Sequence, residues 1–423
     1  MLDPKQFTIR IASEEQSLEH AKACYEVVPW RNGLTWEQFL QFCIREGENA
    51  EWFKNHAALT WVLVRKDDYD GEVYSVLQTD RKQCFIKTKS SGNGQQEEKI
   101  ENGWWYNITA VVTPVKHRGQ GYATHLIRLL HYMLTSPSSP GGTVNNDIPS
   151  FPKEEWGSAP PSVPEEIIEF IPKPITSVLW SDVPIEFYGD CKFGLNGKGF
   201  EYDKKLNSRL VWDLNVDQKD DDNDDQKGEW ELIYEETLSE IQEILVKSVK
   251  QKVLKADNSN KTIWSHDPST PGSLTYISKK ASYIEPKPEW IIKYGKPLPI
   301  GLRLRSQDDQ EDTIIIIALN NFLVEKRLLI TYIHNLKSNQ VESLLSALEK
   351  LIIDVGAPWT QGEIWGFNLE KDDWVKEFNK NANRNVKIDN RYGIRQHVLG
   401  ICNYKQGQNV DVEMLDNQMW NWV

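Results

Sequence analysis

The chain has 423 residues, and its 62 aspartates and glutamates outnumber 49 lysines and arginines, for a formal net charge of −13. That length exceeds one ordinary core and predicts two domains, while the acidic balance argues against a general nucleic-acid binder, because phosphate contact needs a basic face. No apolar run approaches the roughly 20 residues of a membrane span, Met1-Leu2-Asp3-Pro4-Lys5-Gln6 does not resemble a signal peptide, and five scattered cysteines without CxxC and eight histidines without HxxxH predict no disulfide framework and no metal, so a protein of the cytosol, or also the nucleus, is expected.

Phe7-Thr8-Ile9-Arg10-Ile11 alternates as a strand does. Ser13 followed by Glu14-Glu15 starts a helix that runs to about Val27, and a second helix spans Thr35 to Glu46 with Trp36, Phe39, Leu40 and Cys43 on one face. Leu59 to Val64 reads as a strand. Tyr74 to Leu77 and Gln83 to Thr88 read as two more pieces joined by polar Asp80-Arg81-Lys82, and the polar, Gly-containing stretch Lys89 to Glu101 reads as a loop. Trp104 to Thr113, rich in aromatic and β-branched residues, is a strong strand that Pro114 ends. Beyond it Tyr122, Leu126, Leu129, Leu130 and Met133 recur at helical spacing, which gives strand, glycine loop, helix. Residues 136–164 are rich in Pro, Ser and Gly and read as a mobile insertion. Ile175 to Leu179 is the next strand, Asp182 to Asp190 a short helix, and Phe200 to Val211 one or two strands.

The Asp-rich run Asp217 to Asp225 reads as a linker. It divides the chain into a first domain at 1–212, an acidic linker at 213–228 and a C-terminal α+β domain at 229–423. The second half is read as a helix near Leu232 to Lys255, a loop-rich stretch to Pro299, strands at Thr313 to Leu319 and Leu328 to His334, an amphipathic helix over Gln340 to Ile353, and a strand at Glu363 to Phe367. The order of elements repeats that of the first half without a residue-level repeat, so a degenerate second copy is the working expectation.

A site for an acyl-CoA must hold a pyrophosphate. A tight loop opening a helix does so with backbone N–H groups and the positive helix end, and glycines let the backbone approach closely. Arg118-Gly119-Gln120-Gly121-Tyr122-Ala123 stands at such a junction. It resembles motif A of the GNAT N-acetyltransferase superfamily, Gln/Arg-x-x-Gly-x-Gly/Ala, with Arg118, Gly121 and Ala123 in the defined places. Phe187-Tyr188-Gly189-Asp190-Cys191-Lys192-Phe193 resembles motif B of the same superfamily, with Lys192 where a glycine is usual. Within the superfamily, the longer loop between Pro114 and Arg118, the Gly121-Tyr122-Ala123 ending, Trp180-Ser181-Asp182-Val183 and the C-terminal Trp420 and Trp422 are similar to the fungal lysine N6-acetyltransferase-like two-domain family. Val115-Lys116-His117 departs from that family's Pro-Glu-Tyr.

The resemblance implies an α/β (α+β) fold: a mixed, mostly antiparallel sheet with helices on both faces, splayed at the cofactor site, and a second α+β domain as a GNAT-like half. That half has Asn335-Leu336-Lys337-Ser338-Asn339 in place of the glycine loop. It further implies acetyl-CoA as co-substrate, no metal, and transfer of acetyl to a primary amine. Backbone N–H groups of Val112 and Thr113 would take the pantetheine arm, residues Arg118, Gly119, Gln120, Gly121, Tyr122 and Ala123 the pyrophosphate, and Tyr188 would protonate the departing thiolate as general acid. The expected acceptor is a small-molecule amine, first among them the side chain of free L-lysine; a protein acetyltransferase and a non-catalytic acetyl-CoA-binding module are the alternatives. No base is assigned: Glu101 and Asn107 read as structural or solvated, His117 and His125 as solvent-facing or capping, and Cys191 as packing. Arg303 and Arg305 are the cations weighed for an amino-acid carboxylate.

Overall fold

The computed structural model describes residues 2–92, 95–135, 148–216, 230–257, 261–285, 288–306, 311–323, 325–380, 382–404 and 411–422. In chain order, β1 (Phe7–Ile11) leads to α1 (Glu14–Tyr25) and α2 (Trp36–Asn49). Both helices start on a capping box, Ser13 with Gln16 and Thr35 with Gln38, which satisfies N–H groups that the helix ladder cannot reach. Then come β2 (Ala58–Arg65), β3 (Ser75–Gly92), β4 (Gln95–Val112), α3 (Tyr122–Thr135), α4 (Lys153–Trp156), β5 (Thr176–Ser181), α5 (Ile185–Gly189) and β6 (Glu201–Tyr202). The chain continues through β7 (Ser208–Asp213), β8 (Glu231–Ile233), α6 (Leu238–Lys255), β9 (Lys261–His266), α7 (Tyr276–Ile284), α8 (Glu289–Tyr294), β10 (Gly301–Leu304), β11 (Thr313–Ala318) and β12 (Leu328–His334). It finishes with α9 (Val341–Val355), β13 (Gln361–Trp365), α10 (Trp374–Lys380), β14 (Lys387–Asn390), β15 (Val398–Asn403) and β16 (Asp411–Met414). No helix among the described residues is long and apolar enough to cross a membrane.

Two compact units form, each from separated stretches: Met1–Asp203, Val249–Pro271 and Tyr392–Leu415 in one, Lys204–Ser248, Gly272–Arg391 and Asp416–Val423 in the other. The first holds a nine-stranded sheet in the order β1-β2-β3-β4-β5-β15-β6, with β9 added to the far stretch of β3 and β16 to β9. Every pairing in it is antiparallel except β4 with β5 and β9 with β16. The apolar stripe of α3, Leu126, Leu129, Leu130 and Met133, buries against Ile9, Trp61, Leu63, Leu77, Tyr106 and Ile108 of the strands. The second unit holds a seven-stranded sheet, β14-β7-β13-β12-β11-β10-β8, in which only β12 and β13 are parallel. There α9 buries Leu344, Leu345, Leu348 and Ile352 against Ile315, Ile317, Ile330 and Ile364.

The two sheets share one plan. Four antiparallel strands end in a parallel pair bridged by a helix: β1 to β4, α3, β5 in one and β8, β10, β11, β12, α9, β13 in the other. The strand beyond each parallel pair is exchanged. β7 follows β6 in sequence yet lies between β13 and β14, and β15 follows β14 yet lies between β5 and β6. The contiguous division at 1–212 and 229–423 thus differs from the units observed, because β7 pairs with β13 and the stretches 249–271 and 392–415 return to the first unit. The acidic run 217–225 and residues 136–147 lie outside the described residues.

Three further expectations are corrected. Asp80-Arg81-Lys82 does not break β3, because the polar groups have partners inside the fold: Asp80 accepts from Asn107 Nδ2 at 3.1 Å, and the Lys82 ammonium lies 5.4 Å from the Trp105 ring centre. Lys89 to Glu101 is strand rather than loop, since β3 and β4 pair on to Gly92 and Gln95, with Lys87 bridged to Glu98 at 2.9 Å. The far part of the expected mobile insertion packs on the core through Ile148, Phe151 and Val163, and Trp156 is buried.

Candidate functional site

The parallel pair in the first unit is short. β4 and β5 pair only from Trp105↔Thr176 to Asn107↔Val178, after which β4 runs on to Val112 with no strand among the described residues on that side, while β5 pairs along its whole length with β15. A bulge causes the divergence. Val76 faces Val112 and Gln78 faces Thr109, so Ala110 and Val111 together stand opposite Leu77. Such an insertion bends a strand and raises its twist. Ala110 takes φ 49°, an unfavourable region for a residue with a Cβ, costing on the order of 1–2 kcal/mol. His20 of α1 holds it there, with Nε2 3.1 Å from the Ala110 carbonyl oxygen. Since a carbonyl only accepts, Nε2 carries the hydrogen. Burial pushes this imidazole down to about 4, against the opposing pull of that hydrogen bond, so it is neutral at pH 7. Two residues on, Ser75 Oγ donates to the Val112 carbonyl at 3.2 Å and lies 3.1 Å from Thr113 Oγ1.

Pro114 ends the strand, and a single 3-10 turn, Val115–His117, leads into the glycine loop. Arg118 Nε donates to the Thr113 carbonyl at 3.0 Å, closing the loop on the strand end. Gly119 and Gly121 take φ 74° and 91°, values that glycine adopts without strain. A Cβ placed on Gly119 would meet nothing within 4 Å, and one on Gly121 only a Leu2 methyl at 3.9 Å, so the backbone here faces open space. The first ladder bond of α3 runs from the His125 N–H to the Gly121 carbonyl at 3.0 Å, so the N–H groups of Tyr122, Ala123 and Thr124 precede the ladder.

The loop is tied from below. Glu72 accepts from Lys116 and from His117 Nε2, the latter at 3.0 Å; the lysine bond above all holds its carboxyl down to about 2. The His117 ring stacks on Tyr74 at 4.5 Å and so anchors the loop instead of facing solvent. Tyr122 packs its ring against Phe7 and Tyr74, both at 5.2 Å, and donates its hydroxyl to Gln120 Oε1 at 3.3 Å. Its side chain therefore stiffens the loop, and only its backbone is available to a ligand. His125 is buried, again unlike the solvent-facing expectation, and burial pushes it to about 4.

Tyr188 lies on α5, beyond the end of β5. Its ring is buried at 8% exposure, and its hydroxyl makes no hydrogen bond to another described residue. Burial, then the neighbouring Cys191 and Asp182, push the phenol well above its ordinary value, so it carries its proton at neutral pH. The helix that begins at the glycine loop also braces this segment. Arg128 donates to the Asp190 carbonyl and His131 Nε2 to the Cys191 carbonyl, both at 3.0 Å. Cys191 is fully buried, its thiol pushed up to about 12 by burial and turned to the Phe187 carbonyl, which fits packing rather than nucleophilic attack. Lys192 is exposed at the tip, and Gly194 at φ 83° makes the turn instead.

Other residues weighed from the sequence fall elsewhere. Glu101 pairs with Lys99 at 2.6 Å on the exposed hairpin, and Asn107 is buried with its amide on Asp80. Arg303 and Arg305 belong to the second unit and are committed there, to Glu240 and Asp312 and to Glu231. His20 and Ser75 had no signal in the sequence, since a lone histidine on an amphipathic helix and a serine opening a strand are ordinary there.

The second sheet diverges in the same way and is filled. β12 and β13 pair only from Leu328↔Gly362 to Ile330↔Ile364, and a register shift falls between Ile316 and Ile317. Beyond the divergence the Ile333 N–H donates to Gln418 Oε1 at 2.6 Å while Gln418 Nε2 donates to the Ile333 carbonyl at 3.1 Å. A side-chain amide thus takes the place of a strand. Trp420 packs edge-on to Tyr332 at 5.4 Å, and a Cβ on Gly366 would sit 1.7 Å from the Asn417 carbonyl oxygen. At the start of α9, Gln340 Oε1 accepts from the Lys337 N–H and from Thr313 Oγ1, and Asn335 takes φ 54° in place of a glycine.

No family model matches the chain, and no curated relative matches it. The chain is similar to a solved GCN5-related N-acetyltransferase from Kribbella flavida, at 11% identity over 94% of this chain and 72% of that one, with a TM-score of 0.46. It is similar to another from Anabaena variabilis, at 12% identity over 94% and 72%, TM-score 0.43. A third, from Sphaerobacter thermophilus, matches at 12% identity over 96% and 98%, TM-score 0.38.

Proposed function

We propose that the first unit binds acetyl-CoA and transfers its acetyl group to a primary amine. The observation that carries this reading is the open edge of β4 beyond Asn107, which ends in a glycine loop whose backbone faces open space at the start of α3. An extended amide-bearing arm fits beside such an edge as a strand would, and a pyrophosphate fits the unladdered N–H groups and the positive helix end. In this reading Val112 and Thr113 receive the pantetheine arm, and residues Arg118 to Ala123 hold the pyrophosphate, mainly through backbone. The amine nitrogen attacks the thioester carbonyl carbon, the C–S bond breaks, and Tyr188 gives its proton to the thiolate. The side-chain amine of free L-lysine is the acceptor to try first.

The test is release of CoA thiol from acetyl-CoA by the full chain against a panel of amines that includes free lysine and lysine-containing peptides. Release with lysine supports a small-molecule acetyltransferase, and release with peptides alone makes it a protein acetyltransferase. Acetyl-CoA binding without release from any amine overturns transfer and leaves a binding module. Gly121→Val places a β-branched side chain at φ 91° and should weaken acetyl-CoA binding at least tenfold.

A further inference from the structure

The first residue beyond β5 is Asp182, and its carboxylate meets residues from two distant segments. Trp30 Nε1, from the segment between α1 and α2, lies 3.3 Å from Oδ2. His397 Nδ1 lies 2.8 Å from Oδ1, and the His397 backbone N–H also donates to the carboxylate. Burial pushes the Asp182 carboxyl up, but the side-chain bond and charge of His397, the Trp30 bond and the backbone bond together bring it below its ordinary value. The Asp182 backbone takes part too, its carbonyl accepting from the Arg395 N–H at 3.0 Å.

The segment that delivers His397 is bent to do so. Gly393, Arg395 and His397 take φ 99°, 59° and 47°, and the last two are not glycines. Backbone in that region is unfavourable for residues with a Cβ and persists where surroundings over-determine it. Here the over-determination is visible, since one carboxylate holds both the ring and the backbone of His397. The imidazole is about a quarter exposed, at 26%, and is not sealed in a core.

We infer that His397, oriented by Asp182, takes the proton from the acceptor amine in the acyl transfer proposed above. The inference rests on that transfer reading and assigns the base it leaves open. The placement follows from the strands: Asp182 closes β5 beside the divergence from β4, and Tyr188 lies close enough on α5 to interact electrostatically with it. Acid and base thus stand at one strand end. With Nδ1 2.8 Å from the carboxylate, Nε2 is the ring nitrogen assigned to the amine proton. One proton of the ammonium passes to Nε2 and then to solvent. The freed nitrogen forms the C–N bond as the C–S bond breaks, Tyr188 protonates the thiolate, and the second nitrogen proton restores the phenol. The charged and titratable groups around this pair are Asp182 itself, Tyr188 on α5, Arg395 on the same segment, and the Glu186–Tyr392 hydrogen bond between α5 and that segment.

The experiment compares the parent full chain with His397→Ala, His397→Gln and Asp182→Asn in CoA release at saturating acetyl-CoA, from pH 5.5 to 9, alongside acetyl-CoA Kd and thermal melting. The expected result is a loss of about 10²-fold in kcat for both His397 variants with Kd unchanged, a smaller loss for Asp182→Asn, and partial rescue of His397→Ala by added imidazole. His397→Gln keeps a donor for Asp182, so a melting temperature near the parent's separates lost chemistry from lost folding. Its rate should also lose the acidic limb of the pH profile. Parental kcat and pH profile in both His397 variants overturn the inference while leaving acetyl transfer intact. A parent chain that binds acetyl-CoA and acetylates no amine overturns the transfer reading, and this inference with it.

Discussion

Tyr188 and the two loop glycines make different demands on the site, and substitution separates them. Tyr188→Phe removes one oxygen from a ring whose packing against Phe187 and Phe200 is unchanged. It should lower kcat by about 10²-fold at constant acetyl-CoA Kd, measured by thiol release and by calorimetric titration. Equal kcat in the two proteins would remove the phenol from the chemistry. The loop was legible in the sequence because positive φ demands glycine, and Gly119 and Gly121 stand at 74° and 91°. The side chains that hold the bent strand were not legible. His20 reaches Ala110 across 90 positions of sequence, and its neutral state comes from burial, which no local pattern encodes. Asp182 and His397 are further apart still, and the pairing of β15 with β5 brings them together.

At the scale of the element, the two divergent strand pairs differ in what occupies them. In the second sheet Gln418 satisfies both backbone groups of Ile333, so Gln418→Ala should cost about 2 kcal/mol, seen as a lower urea midpoint at constant m. Gly366→Ala should cost more, since its Cβ overlaps the Asn417 backbone and the whole C-terminal segment must shift. Neither change touches the β4 edge, so an acetyl-CoA stoichiometry of one per chain is expected in the parent and both variants, read by titration. A second bound equivalent would show that the filled cleft opens. Elements with strong local patterns, α3, β12 and α9, were read close to their observed limits. The β3–β4 hairpin was not, because its tip carries polar residues whose strand state rests on backbone pairing rather than on an apolar face. β9, β10, β15 and β16 were missed as short strands that owe their state to a distant partner.

The molecule as a whole answers to pH through its buried histidines. His20, His125 and His131 are each pushed from 6.5 to about 4 by burial, so the unfolded chain binds more protons than the folded one between those values. Their stabilisation is complete above pH 6.5 and drains away as pH falls toward 4, by roughly 3 kcal/mol per histidine at most. Urea unfolding at pH 7, 6, 5 and 4.5 should therefore show a steep fall below 6.5, and a flat profile there would refute the burial argument. The doubled plan was legible from the order of elements, but the exchanged strands were not, since β7 and β15 carry no mark of which sheet they join. That exchange sets a schedule for the chain during synthesis. When residue 203 leaves the ribosome, the first sheet lacks the strand between β5 and β6, and it cannot close until residue 403 has emerged. Until then β5 presents an unpaired edge that invites the wrong strand, so the nascent first half depends on delay, or on a chaperone, to keep that place vacant.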